Sequence, residues 1–515
     1  MMNPLVGVVV LYVLVMIAIG YWCMRRTRTV GDFFLGGRSL GPWMSAFAYG
    51  TTYFSAVLFI GYAGRLGWGF GIHTMWIVLG NTFIGTLLAW KVLAGRTRDM
   101  TSRLNAMTMP EFLRARYDSR PLQWLSAVVV FVFLVPYSAS VYMGLSYLFQ
   151  KTLGLQYNEA LIFLAAVTGI YLVMGGYFAV AVSDFIRGIV EFAGVVTMVL
   201  LLAGMKGGLF GSFSALLNPA YAPGLSAPPP PTGPAFPGWV TLFSLVLITS
   251  FGPWALPQMV QKFYSIRSRA DVRRAMVIAT VFALFMSFGA YYSGALTHLF
   301  FTDPKTDLAP IVDAATKKPN LDLLMPLFIT TYVPQWLVWV ILLMVFSASM
   351  SSLSSLVLVS SSAIAIDLFG GTGERKPKHT MALMRVLCAV FVALSLAIAV
   401  SKVDVIVNLM VIAWGALSGA FLAPYVYGLF WKRATRAGAY AAMLSGIGIA
   451  AGLFVAWGKP HIPVAGAIAM IVPVLVLPLV SLFTRPPRQE ILDTAFGDQP
   501  SATPEPARET AEAGR

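Results

Sequence analysis

Charge is what this chain has least of. Asp, Glu, Lys and Arg make up 11% of its 515 residues against 58% hydrophobic ones, where a water-soluble domain carries roughly 25% charged residues, so a soluble globular fold is excluded. Cysteine is nearly missing too. Cys23 and Cys388 sit in or beside apolar segments of distant parts of the chain; that leaves no disulfide framework and no CxxC, and both read as packing residues. His73, His298, His379 and His461 are scattered over ends and loops, and there is no HExxH, Walker loop or GxSxG. With no nucleophile spaced to meet a base, an enzyme is not expected.

What the chain has instead is apolar runs. Segments 5–24, 122–149, 160–173 and 464–480 are apolar for most of their length, close to the ~20 residues a helix needs to cross a bilayer. Lipid admits only helices or closed barrels, and these runs are continuous rather than alternating with period two, so helices are expected. The first run lacks a positive n-region and is followed by Arg25, Arg26 and Arg28 in place of a small-residue cleavage site; it reads as a retained span.

The pattern predicts an all-α membrane protein of about thirteen transmembrane helices, near 4–24, 40–64, 68–94, 122–149, 158–178, 184–205, 238–260, 274–300, 335–368, 381–401, 404–429, 437–457 and 462–483. Threading these alternately puts five basic clusters on one side: Arg25 to Arg38, Arg96 to Arg120, Lys262 to Arg274, Arg375 to Lys378, and Lys432 to Arg436. By the positive-inside rule that side is the cytoplasm of a plasma or inner membrane, with the amino terminus outside and the carboxyl terminus inside. Topology thus accounts for most of the net charge of +15, and nucleic acid is not an expected partner. Arg65, at the outer end of the second span, reads as an interfacial snorkelling group.

Two spans are not plain lipid fillers. The second carries Gly50-Thr51-Thr52-Tyr53-Phe54-Ser55 at mid-depth, and the seventh carries Gly252-Pro253 and Leu256-Pro257, whose prolines disfavour continuous helix. Breaks inside a bilayer survive only where protein or a water-filled cavity takes up the freed groups. The two lie five spans apart, and because five is odd their groups run in opposite directions across the membrane. Paired interrupted helices in inverted repeats point to a midplane site in a secondary transporter.

The chain then divides into a first span and loop (1–39), a first five-helix repeat (40–205), a Pro-rich outer loop (206–237), a second five-helix repeat (238–429) containing another outer loop (301–334), two further spans (430–484) and a disordered cytoplasmic tail (485–515). The run Pro228 to Pro231 favours extended polyproline.

The ninth span holds the cation chemistry. Ala348, Ser351, Ser352 and Ser355 share one helical face, and Na+ is a hard ion that hydroxyls and freed carbonyls can ligate without one formal charge per ligand. The carbonyls would come from the broken second span, at Thr51 and Phe54. The structural alternative is that serines merely glue helices together. Asp184, with Arg187 and Glu191 on the same face of the sixth span, reads either as part of an ion pathway or as a helix start capped and paired internally.

Phe33-Phe34-Leu35-Gly36-Gly37-Arg38-Ser39-Leu40-Gly41, Gly175-Gly176-Tyr177, Ser183-Asp184-Phe185-Ile186-Arg187-Gly188, Met350-Ser351-Ser352-Leu353-Ser354 and Leu429-Phe430-Trp431-Lys432-Arg433-Ala434-Thr435 follow one another along nearly the whole chain. In that order they resemble the sodium:solute symporter family, whose members include proline, pantothenate, sialic acid and galactose transporters on the leucine-transporter fold. The resemblance implies a sodium site at Thr51, Phe54, Ala348, Ser351 and Ser352. By likeness to sialic acid transporters it implies a second at Asp184, Ser351, Ser354 and Ser355. It also implies a solute pocket of Tyr53, Tyr137, Phe251, Trp254 and Gln258. Proline transporters place an aspartate where this chain has Tyr53, and aromatic residues where it has Thr249 and Pro253. The pattern Phe251-Gly252…Leu256-Pro257 is closer to the pantothenate and monocarboxylate branches.

The expected function is therefore Na+-coupled symport, by alternating access, of a small organic solute into the cell. The solute is an amino acid such as proline or a small carboxylate such as pantothenate or another monocarboxylate. No cofactor is expected beyond Na+ as the coupling ion, and the expected partners are the bilayer, Na+ and the solute. The alternatives are H+ coupling through Asp184 or Glu191, a transporter-shaped sensor, for which no soluble signalling domain is evident, and a passive channel.

Overall fold

Residues 4–24, 36–227, 233–312, 317–369 and 377–497 are described by a computed structural model. Every regular element among them is helical, apart from two isolated bridges, Leu40 with Ile266 and Val312 with Pro319. Ten helical stretches among the described residues are long and apolar enough to cross a membrane, and the helix Met109–Tyr117 lies between the third and fourth expected spans.

Two stretches are too long for one crossing. Residues Val57–Arg103 are helical for 47 residues, about 70 Å if straight against a hydrocarbon core of about 30 Å. The chain turns at Gly71, whose φ of 52° is accessible to glycine and strained for other residues. Tyr157–Gly204 runs for 48 residues where the sequence predicts two spans and a short loop. Val167 and Arg187 nevertheless line one cavity of about 10 Å³, although a straight helix would hold them about 30 Å apart. The stretch is therefore not one straight helix. The side chains of 170–179, Gly175-Gly176-Tyr177 included, lie outside the described residues, as do Arg25, Arg26, Arg28, Arg375 and Lys376.

Packing fixes which spans are central. The most apolar stretches of the ninth span (Gln335–Leu368) and the eleventh (Ile406–Phe430) are each 89% buried, against 28% for the tenth (Leu383–Ser401) and the twelfth (Arg436–Trp457); the first pair forms the core and the second pair faces lipid. The carboxyl-terminal half of the second span meets the eighth (Arg269–Phe300) backbone to backbone. A Cβ on Gly294 would lie 2.0 Å from the Ala63 carbonyl oxygen, so only a hydrogen fits.

Three expectations are corrected. Lys262, assigned to a basic loop, is 1% exposed in the helix Pro257–Ser265, which completes the seventh span; Val260, Phe263 and Tyr264 keep that helix inside the fold. Arg65 is no free snorkelling group, because its guanidinium lies 3.4 Å from Asp322. The segment from 485 is not structureless throughout. Gln489–Phe496 is a helix whose Phe496 ring lies under Arg116, 5.2 Å from guanidinium carbon to ring centroid, and under Lys432 at 5.7 Å. Residues 498–515 and the polyproline run lie outside the described residues. The two long loops, 206–237 and 301–334, carry short helices, Gly208–Ala215 in one and Leu324–Tyr332 in the other.

Candidate cation and solute site

The second span breaks where the sequence turns unfavourable to helix. Pro42–Tyr53 ends at Phe54, which is extended (φ −111°, ψ 120°). Two threonines and two aromatic residues crowd that turn, and Ser55 restarts the chain: its Oγ accepts from Val57 N–H at 3.2 Å and its carbonyl from Leu58 N–H at 3.0 Å. A helix end leaves its last carbonyls without intrahelical donors. Here the ninth span supplies them. Ser352 Oγ lies 3.3 Å from the Thr51 carbonyl and 3.2 Å from that of Thr52. Ser351 Oγ donates to Thr51 Oγ1 at 2.8 Å, and Ala56 N–H donates to Ser349 Oγ at 3.2 Å. Thr51, Phe54, Ala348, Ser351 and Ser352 are all at most 1% exposed, and of these Thr51, Ser351 and Ser352 meet where the two spans cross.

One helical turn along, the company changes. Ser355 Oγ lies 3.1 Å from Thr52 Oγ1 and accepts a hydrogen bond from Lys262 Nζ at 3.0 Å. Lys262 Nζ is 3.9 Å from Asp184, whose other oxygen is 3.7 Å from Arg187, and all three side chains are 0% exposed. Ser354 turns its hydroxyl back onto the Met350 carbonyl of its own helix at 2.6 Å. Asp184 and Ser355, from the second predicted cation set, thus meet around Lys262, which the sequence reading missed. The available signal was the apolar flank of Lys262, five residues short of Arg267.

The seventh span breaks as its prolines require. Gly238–Phe251 gives way to a single tight turn, Gly252–Trp254, then to extended Leu256 (φ −68°, ψ 122°), and helix resumes at Pro257. Tyr53 OH donates to the Thr249 carbonyl, tying one break to the other. Between them lies a cavity of about 20 Å³ lined by Tyr53, Tyr62, Asn81, Thr249, Tyr291 and Trp414 among others, room for about one water. Of the predicted pocket residues Tyr53 lines this cavity, and Tyr137 backs it, edge-on to Trp414 at 5.8 Å between centroids. Phe251 and Trp254 instead line a separate apolar cavity of about 360 Å³ with Leu422, Tyr427 and Met470. Gln258 is 1% exposed in the helix after the break. Asn81, Tyr62, Tyr291 and Trp414 were missed; only Asn81, a lone amide inside the third span, stands out in the sequence.

The cavity is closed on both sides. On the side away from the basic clusters Asp322 accepts from Arg65 at 3.4 Å and from Ile406 N–H at 3.1 Å, joining the second span, the 301–334 loop and the eleventh span. Burial holds the Asp322 carboxyl above its ordinary pKa although Arg65 pulls the other way. On the basic side Tyr49, Trp90 and Phe263, each 0% exposed, form an aromatic layer with centroids 5.1 to 5.6 Å apart. Beyond it opens a cavity of about 890 Å³ lined by Trp90, Lys91, Arg96, Arg103 and Arg273 among others.

Residues 33–446 match the model of the sodium:solute symporter family. The sodium/proline symporter of Salmonella typhimurium is 30% identical over 86% of this chain and 86% of its own length, and that of Haemophilus influenzae is 29% identical over 96% and 97%. A Na+-coupled sialic acid symporter, solved in a substrate-bound outward-open state, superposes with a TM-score of 0.77 at 18% identity, over 94% of this chain and 98% of that one.

Proposed function

The chain belongs to the sodium:solute symporter family and is a Na+-coupled symporter of a small solute on a leucine-transporter-like fold; from that premise we propose that its coupling Na+ sits where the broken second span crosses the ninth. The ligands are the carbonyls of Thr51, Phe54 and Ala348 and the hydroxyls of Ser351 and Ser352. One observation carries this reading: two serine hydroxyls meet the freed end of a broken helix, buried, with no ammonium or guanidinium among them. Such an oxygen set suits a hard monovalent ion.

The solute binds between the two breaks, against Tyr53, Tyr137, Asn81, Tyr291 and Trp414, with Gln258 as a polar anchor. Phe251 and Trp254 join it only if the seventh span rotates as the site opens. The solute is an amino acid such as proline or a small carboxylate such as pantothenate or another monocarboxylate. Sodium/proline symporters among the relatives support the first, and the partial positive charge at the restart of the seventh span suits any carboxylate. The basic faces mark the cytoplasm of a plasma or inner membrane, which puts the amino terminus outside and the carboxyl terminus inside.

Na+ favours the outward-open arrangement by bridging the second and ninth spans, solute fills the adjoining break, and the loaded site closes under Arg65 and Asp322. Release follows when the layer of Tyr49, Trp90 and Phe263 parts toward the basic cavity. The ion drives this only by binding the two arrangements with different affinity. In proteoliposomes, uptake should rise with an inward Na+ gradient, and Ser351→Ala with Ser352→Ala should raise the Na+ concentration for half-maximal uptake. Unchanged Na+ dependence in that double variant rejects the site, and uptake driven by a pH gradient without Na+ rejects Na+ coupling.

A further inference from the structure

We infer that the second cation position of this transporter is filled by the chain's own ammonium, that of Lys262, so that one Na+ and not two accompanies each solute. The inference rests on the Na+-coupled reading above and specifies its stoichiometry.

Lys262 Nζ occupies the corner between Asp184 and Ser355, at 3.9 Å from the carboxylate and 3.0 Å from the hydroxyl. Both are members of the set a second Na+ would need. Ser355 passes the contact on to Thr52 Oγ1 at 3.1 Å, so the ammonium reaches the broken second span through one hydroxyl. A bound Na+ would serve the same bridge.

Charge balance points the same way. The charged groups in contact at this corner are Asp184, Arg187 and Lys262, each 0 or 1% exposed: one acid between two bases, so the set is already positive when ionised. Buried charges persist when they are paired and are costly when one partner is lost. A Na+ added to the complete set would add to that positive charge in a dry interior and would sit against an ammonium competing for the same oxygens. The first cation site has no such rival. Removing the Lys262 charge leaves Asp184 with Arg187 alone and releases the Asp184 and Ser355 oxygens that the ammonium engages, which Na+ would then ligate.

The lysine is held to this position by its own helix. Pro257–Ser265 is buried throughout, the Ser265 carbonyl accepts from Leu40 N–H at 3.2 Å, and the Tyr264 carbonyl accepts from Arg38 at 3.2 Å. Lys262 is therefore a fixed cross-link from the inner half of the seventh span to the sixth and ninth spans.

The test is the ratio of ²²Na+ to labelled solute taken up by proteoliposomes, read with the Hill coefficient for Na+. Proline serves as the solute, replaced by whichever compound a counterflow panel identifies. The expected ratio for the native chain is about one, with a Hill coefficient near one. Lys262→Gln should raise both toward two, and Lys262→Arg, which keeps the charge, should leave both at about one. A native ratio of two overturns the inference, as does Lys262→Gln that transports with a ratio of one. If Lys262→Gln does not fold, the native ratio and Lys262→Arg decide alone. Na+-independent uptake by the native chain breaks the coupling reading instead, a result distinct from a ratio of two.

Discussion

Two polar corners lie on the same pair of helices, about one turn apart, and they are built in opposite ways. At Thr51, Ser351 and Ser352 neutral oxygens converge with no cation among them, although the Asp184 carboxylate lies beside Ser351; at Thr52, Ser355 and Asp184 the same serine row meets a buried lysine and an arginine–aspartate pair. A row of hydroxyls is therefore not by itself an ion site. What decides is whether the protein has already supplied a cation.

The largest effect that would break this contrast is removal of the carboxylate at the charged corner. Asp184→Asn leaves Lys262 and Arg187 buried with one acid fewer, a loss of about 3–5 kcal/mol by the usual cost of orphaning a buried charge. It should appear as a sharply lowered melting temperature in detergent. A melting temperature within a degree or two of the native one would mean that the ion pairs hold nothing together. Next comes the neutral corner. Ser351→Ala with Ser352→Ala removes two of the five proposed ligands and should raise the half-saturating Na+ concentration at least about tenfold, which corresponds to ~1.4 kcal/mol, with a loss of about 1–3 kcal/mol in Na+-free buffer as the Thr51 and Thr52 carbonyls lose their donor.

Two smaller predictions sharpen the boundary between ion site and closure. Asp322→Asn removes the partner of Arg65 on the face away from the basic clusters. Arg65 is partly exposed, so the loss is about 1 kcal/mol, roughly a fivefold shift toward the outward-open arrangement. Faster labelling of a cysteine introduced as Leu58→Cys, which lines the cavity, would report it; an unchanged rate would remove Asp322 from the closure. Tyr53→Phe deletes the hydroxyl that ties the two breaks, a loss of about 1 kcal/mol. It should raise the KM for solute a fewfold and leave the Na+ dependence unmoved.

Much of this was legible one residue at a time. Continuous apolar runs placed the spans, Gly50 to Ser55 and the pair Pro253 and Pro257 placed both breaks, and the spacing of Ala348, Ser351, Ser352 and Ser355 placed one face of the ninth span. The misreadings share a cause. Lys262 and Arg65 were counted by distance from the nearest apolar run, a rule suited to free charges, whereas both are engaged by partners 78 and more residues away in the chain: Asp184 and Ser355 for one, Asp322 for the other. The cavity between the two breaks was harder still, because Asn81, Tyr291 and Trp414 come from three distant spans and only tertiary packing brings them together.

Na+ binding to the purified protein without solute is the most direct probe of where the ion sits. Anything that binds the folded state raises its stability by mass action, so the native melting temperature should climb with NaCl relative to the same concentration of KCl, while Ser351→Ala with Ser352→Ala should respond equally to both salts. A Na+-specific rise that survives in the double variant would contradict the placement.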